Sequence, residues 1–403
     1  MTERPRVLAL FGSGVVFGQE RGNIEALAAL KEQGCDVLCL VRDEASCVHV
    51  PPELDARGLA WLKVPYIEHR VPGRMHAIAF RNPVAFVRAN WRFLQIVQEF
   101  RPTHVHAFNQ LYVLNFLIGL TVLRLPMVFR AGDEPTVHNW IWRLLWKFVV
   151  WQTDRFVANS RFVARSLRNH GVAEDLITVI YNAPPQRTHV IESLSVPPED
   201  EGMCRVTYVG QISEHKGVHV LVEAFRTVVS DYPNAQLVIA GRISEWSGDA
   251  WARRLRDATA NDPLLGKHVL FVGEIADVPG LLSRSTIHVA PSLFDDPSPN
   301  VVMEAKQAAR PSIVFPRGGM PELVEDGVDG FVCREATSES LAEALRCYLD
   351  NAGLARRHGQ AAYASLARLG VGQFAERWLN VYTSATRQGQ NKRAEYGDNR
   401  DVG

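Results

Sequence analysis

The sequence predicts an α/β protein made of two doubly wound domains, each a parallel sheet covered by helices. Three observations predict it. At 403 residues the chain is longer than one hydrophobic core usually organises. It opens with a strand, a glycine-containing loop, a helix and a second strand, which is how a doubly wound unit starts. The same order begins again at Arg205, after a stretch rich in Pro, Ser, Glu and Asp that reads as a linker.

Residues 6–11 (RVLALF) are an unbroken apolar run, as a strand buried on both faces requires. Gly12, Gly14, Gly18 and Gly22 punctuate the next stretch; a helix is expected over 22–33 and a strand over 36–41. The glycines miss the G-x-G-x-x-G spacing, which disfavours an NAD site. Strand and loop material is expected over 51–72. A helix over 81–100 would put Phe86, Trp91, Phe93, Leu94 and Val97 on its apolar side, with Arg88 and Arg92 as a basic ridge. HVHAF, after Pro102, reads as a strand end. Residues 111–129 are apolar over nearly a membrane span, but Asn115, Arg124 and Pro126 interrupt them, so a buried helix followed by a buried strand is predicted. Residues 140–151 (WIWRLLWKFVVW) hold four tryptophans, with Arg143 and Lys147 four apart. That composition suits either a helix at a membrane surface or a core helix whose cations reach outward. Residues 154–160 and 177–184 close the first domain with strand material.

The second half reads as strand 205–209, loop 210–217, helix 218–230 and strand 236–240, with further strands at 269–273 and 287–291. Asp296 and Glu304 then stand with seven residues between them. Ser298 suits an N-cap and Pro299 a first helical position, giving a helix over 299–309 with Glu304 on its second turn. The N–H groups of Asn300, Val301 and Val302 would point where Asp296 faces, and a helix start of that kind favours a phosphate. Carboxylates accept hydrogen bonds from hydroxyls, so a sugar linked to a nucleotide diphosphate matches the layout. The plainer reading is a surface loop before an amphipathic helix. Helices are expected over 338–351, 353–368 and 372–383, the last with Phe374, Trp378 and Tyr382 on one side. The polar tail from 387 is expected to be disordered.

The two acids are followed in register by Gly318, Gly319, Pro321, Glu322, Leu323, Val324, Gly327 and Gly330. This stretch resembles the signature of retaining family-four glycosyltransferases, group 1 enzymes of the GT-B fold. The resemblance implies two Rossmann-like domains facing across a cleft. It places an acceptor-side domain at 1–184, a linker at 185–203 and a nucleotide-sugar-binding domain at 204–370. A helix over 371–386 would cross back to the first domain, ahead of the 387–403 tail. By the same resemblance Lys216, Gln211 and Gly18 approach the donor diphosphate, the backbone of Glu274 and Ile275 holds the base, and Asn300, Val301 and Glu304 complete the donor site. Asp296 would bind the transferring sugar. Asp296, Glu304, Lys216 and His106, the last matched to a His-x-His strand end, are the catalytic candidates. Asp133 and Glu134 would meet the acceptor or cap a helix. Three positions depart from the family: Asp296 stands where Glu is usual, Gln211 where Arg is usual, and Phe17 where the first loop usually has Gly.

The implied reaction moves a sugar from a nucleotide-diphosphate donor to a hydroxyl on a glycan or lipid-linked acceptor, in surface polysaccharide or glycolipid synthesis, with no metal and no cofactor beyond the donor. An epimerase or phosphorylase on the same fold, or a decayed nucleotide-sugar-binding protein, are the competing readings. Zero formal net charge argues against nucleic acid as a partner. Residues 57–170, however, hold 16 Lys and Arg against 5 Asp and Glu, a block that suits a solvated basic face, an anionic acceptor or a membrane surface. Six scattered cysteines without metal spacing, and no signal-peptide pattern at the start, suit a cytoplasmic protein, one that would work at the inner face of a membrane.

Overall fold

The computed structural model describes residues 4–44, 47–66, 83–184, 203–243 and 249–398. The expected linker lies outside these residues except for Met203, as does 67–72 of the expected strand and loop material. The chain divides into two compact units, Met1–Tyr181 with Gln373–Gly403, and Asn182–Gly372.

The first unit contains β1 (Arg6–Phe11), α1 (Gly18–Glu32), β2 (Asp36–Arg42), α2 (Val50–Ala56), β3 (Ala60–Val64), α3 (Pro83–Phe100), β4 (His104–Ala107), α4 (Gln110–Asn115), α5 (Leu117–Leu123), β5 (Met127–Ala131), α6 (Trp140–Gln152), β6 (Arg155–Ala158), α7 (Arg161–Asn169) and β7 (Ile177–Val179). The seven strands pair in parallel in the order β3-β2-β1-β4-β5-β6-β7. β1 is an interior strand, and Val7 through Phe11 are wholly buried, as its unbroken apolar run requires. α1 starts four residues earlier than expected, because Glu20 accepts a hydrogen bond from the Phe17 N–H at 3.1 Å and satisfies the chain entry from inside the first turn. Residues 50–56, expected as strand or loop, form α2, with Pro51 and Pro52 in its first turn where their missing N–H groups cost nothing. The apolar stretch 111–129 divides into α4, α5 and β5, and no described helix is long and apolar enough to cross a membrane.

The second unit contains β8 (Cys204–Val209), α8 (Val218–Val229), β9 (Ala235–Ala240), α9 (Asp249–Asn261), α10 (Leu265–His268), β10 (Val269–Gly273), α11 (Val278–Ser283), β11 (Ile287–Ala290), α12 (Asn300–Gln307), β12 (Ser312–Val314), α13 (Met320–Leu323), β13 (Gly330–Val332), α14 (Ser338–Leu349) and α15 (Ala352–Arg368). Its six parallel strands run β10-β9-β8-β11-β12-β13. Both sheets are therefore doubly wound, as the sequence predicted.

The last helix, α16 (Phe374–Asp398), belongs to the first unit, where it packs on α1, β5 and β6. Trp378 and Tyr382 are buried there. The helix is described to Asp398, over residues rich in the good helix formers Gln, Lys, Arg, Ala and Glu, and 399–403 of the expected tail lie outside the described residues.

Candidate active site

In the second unit the strand order reverses between β8 and β11. At such a reversal the loops after two neighbouring strands turn to opposite faces, leaving room for a ligand at their carboxyl ends. The β8 loop ends in one tight turn, Glu214–Lys216, followed by Gly217 at φ 70°. A Cβ on Gly217 would lie 1.9 Å from the Pro291 carbonyl oxygen, so only glycine lets this loop lie against the end of β11. The Leu293 N–H donates to the His215 carbonyl at 2.9 Å along the same seam.

That seam carries Lys216 across to the β11 loop. Its Nζ donates to Asp296 Oδ2 at 2.6 Å and stands 4.6 Å from the centre of the Phe294 ring. Asp296 is buried and Lys216 half-buried, so the pair is a short charge-assisted bond with an aromatic face behind the cation. Beneath it the Tyr208 hydroxyl donates to the Gln211 carbonyl at 2.7 Å; burial, then the Asp296 charge, pushes this phenol up. Burial and the neighbouring Lys216 hold His215 below the usual imidazole range, with Asp296 opposing them.

The glycine tail positions Asp296 from its backbone side. Gly318 has φ 57°, and a Cβ there would meet the Asp296 carbonyl oxygen at 2.3 Å. The Gly319 N–H donates to that same oxygen at 2.9 Å.

α12 begins one residue later than expected. Pro299, with ψ 118°, is the extended residue before the helix, and it offers no side-chain cap. Ser298 is therefore not the cap, and its hydroxyl is buried without a protein partner. The Val302 N–H donates to the Pro299 carbonyl at 3.2 Å, so this one of the three expected helix-start donors is engaged within the chain. Asn182 donates from Nδ2 to Asn300 Oδ1 at 2.7 Å. Sequence reasoning missed Asn182, Phe294 and Tyr208. Phe294 beside two acids was a usable signal, whereas Asn182 was marked only as a strand end, and its partner lies 118 residues away.

Glu304 is buried on α12. Two residues on, Lys306 Nζ bonds Asp329 Oδ2 at 2.8 Å and Ser365 Oγ at 2.9 Å, tying α12 to the loop before β13 and to α15. Gln211 is half-buried in the β8 loop. Glu274, exposed, and Ile275 follow β10; Ile275 packs against the core clusters of Val238, Ala240 and Leu281 and of Val278, Leu282 and Ala305, so a contact there falls to backbone. Among the described residues no His, Cys, Asp and Glu group could hold a metal ion.

Gly18 and His106 lie in the first unit. Gly18 is the first residue of α1. His106 is wholly buried on β4: its Nδ1 lies 2.7 Å from the Tyr382 hydroxyl and its Nε2 2.7 Å from Asn23 Oδ1. Since Asn23 Oδ1 can only accept, Nε2 carries the proton and Tyr382 donates to Nδ1. Burial, helped by the Arg130 charge, pulls this imidazole down to about 3. The ring expected to serve chemistry at a strand end instead holds α16 to the sheet. Of the two neighbouring acids, Asp133 accepts from the Glu134 N–H at 2.8 Å and Glu134 accepts from the Ser166 hydroxyl at 2.5 Å, while α6 is capped by Asn139 rather than by an acid.

Two family models match this chain, glycosyltransferase family 4 over residues 16–183 and glycosyl transferases group 1 over residues 192–365. The glycogen synthase of Mycobacterium tuberculosis (strain ATCC 25618 / H37Rv) is 31% identical over 300 residues, covering 69% of this chain and 68% of that protein. The chain belongs to the group 1 glycosyltransferases. The spore coat protein SA of Bacillus subtilis is 29% identical over 185 residues, 44% of this chain; the match spans about half of that relative, 48% of its length. Among solved structures, a glycosyltransferase from Rickettsia africae superposes with a TM-score of 0.77 at 19% identity, covering 95% of this chain and 98% of that one. Anabaena HepE in complex with UDP gives 0.71 at 19% identity, covering 96% and 100%. At that identity the likeness shows the shared GT-B fold. Within this group 1 glycosyltransferase, the pair of acids and the glycine tail read from sequence converge on one place, the loops after β8, β11 and β12.

Proposed function

We propose that this glycosyltransferase is a retaining enzyme that moves a hexose from a nucleotide-diphosphate sugar to an acceptor hydroxyl, in surface polysaccharide or glycolipid synthesis, without a metal. The observation that carries the reading is the Lys216–Asp296 pair at 2.6 Å, set at the strand reversal beside the start of α12. The donor diphosphate would lie against Lys216 and the Asn300 and Val301 N–H groups, which offset the charge that grows as the sugar–phosphate bond breaks. Asp296 would then exchange its bond to Lys216 for a sugar hydroxyl, and Glu304 would take the ribose hydroxyls. Transfer on one face needs no general base from the protein. The acceptor oxygen bonds to the anomeric carbon, the carbon–phosphate oxygen bond breaks, and the acceptor proton passes to the departing phosphate. The acceptor is assigned to the first unit.

The test is turnover of a panel of nucleotide sugars, with and without membrane extract. Transfer to a product of retained configuration is expected, and Glu304→Ala should reduce it to background with the melting temperature within a few degrees of the parent. Full turnover in that variant would refute its role, interconversion of the donor sugar would point to an epimerase, and binding without turnover to a sugar-binding protein.

A further inference from the structure

We infer that the outer face of α3, α5 and α6 docks on an anionic lipid bilayer. α6 presents Trp140, Arg143, Leu144, Lys147 and Trp151 on one exposed stripe, spaced at helical intervals over about 16 Å. Trp140 is 73% and Trp151 47% exposed, while Trp142 and Trp146 are buried on the opposite side. The two sequence readings of this helix therefore apply to different faces of it. α3 repeats the pattern with Val84, Val87, Arg88 and Trp91, the last 65% exposed. α5 lies between them, since it packs on α3 and its Leu120 carbonyl accepts from Gln152 Nε2 of α6 at 3.3 Å. It adds exposed Ile118 and Val122.

Charge selects the occupant. Glu99, 3.8 Å from Arg92, is the one acid on these helices. A second copy of the chain would set cations against cations. The apolar pocket of a protein partner would bury Arg143 and Lys147 together with the tryptophans, which is unfavourable without paired acids. A bilayer surface takes both kinds of group at once, with indole rings at headgroup depth and guanidinium or ammonium on lipid phosphate.

The docking stands whether or not the transfer reading holds, because binding is read without nucleotide sugar. The full chain should sediment with vesicles of phosphatidylcholine mixed with phosphatidylglycerol, not with phosphatidylcholine alone, and salt should release it. Replacing both Arg143 and Lys147 by Gln should weaken partitioning roughly thirty-fold. Trp140→Ser with Trp151→Ser should also weaken it and reduce the blue shift of tryptophan emission, Trp91 supplying what remains. An unchanged melting temperature in both double variants shows that the fold is kept. Failure to bind either vesicle, equal binding to both, variants that bind like the parent, or a dimer that the tryptophan variant dissolves would each overturn the inference.

Discussion

Lys216 and Asp296 stand 80 residues apart in sequence and 2.6 Å apart in space. Each was legible alone, Lys216 from the loop it shares with Gln211 and Asp296 from its interval to Glu304. Their bond was not, because it depends on Gly217 and Gly318 allowing two loops to approach the backbone of a third. Lys216→Gln keeps a donor but removes the charge. It should lower donor turnover about a hundred-fold or more, by the usual worth of one preorganised donor at a site of developing charge. Stability should fall by about 1–2 kcal/mol, because Asp296 stays buried beside a weaker partner, with Lys216 exposed enough for water to soften the loss. Steady-state kinetics and denaturant midpoints on the same variant check both; turnover lost with KM and stability unchanged would argue against the pairing as a binding device.

At the scale of elements, apolar runs located the strands because a strand buried on both faces tolerates little else. Helix starts were less legible. α1 begins at Gly18 through Glu20, and α12 at Asn300 because Pro299 holds an extended ψ. The exit of α12 is also specific: Ala309 sits at φ 53°, a left-handed conformation that burdens any residue with a Cβ. Ala309→Gly relieves about 1–2 kcal/mol in the folded state and gives back about 0.4–1 through the freer unfolded chain. A net gain of about 0.5–1 kcal/mol in chemical denaturation is expected, and a loss would show that the Ala309 methyl is needed for packing.

For the whole molecule, the chain's return through α16 completes the first unit, and histidines fasten it. His104 Nε2 lies 3.0 Å from the Tyr382 carbonyl and 2.8 Å from Thr386 Oγ1, while His106 takes the Tyr382 hydroxyl. Burial lowers His104 to about 4 and His106 to about 3, from 6.5. Both are thus neutral when folded, and unfolding lets them take up protons below pH 6.5. Their contribution is fully present above that pH and is lost as pH falls from 6.5 toward 4. At pH 5 each should cost about 2 kcal/mol relative to pH 7. Urea melts at pH 7 and pH 5 check this: His106→Gln should reduce the difference by about that amount, and an undiminished difference would place the acid sensitivity elsewhere, with His288 of the second unit, also lowered to about 3 by burial, the next to test.

By itself the sequence determined the two doubly wound sheets and the family, and it supplied the interval of acids and glycines that marks the candidate site, because each is written in local pattern: apolar runs, turn glycines, fixed spacing along one chain segment. Tertiary structure alone decided that Lys216 meets Asp296, that Asn182 supports Asn300, that His106 is a core residue, and which tryptophans of α6 face outward. Those outcomes rest on contacts between residues tens to hundreds of positions apart, where side-chain type constrains little until packing chooses a partner.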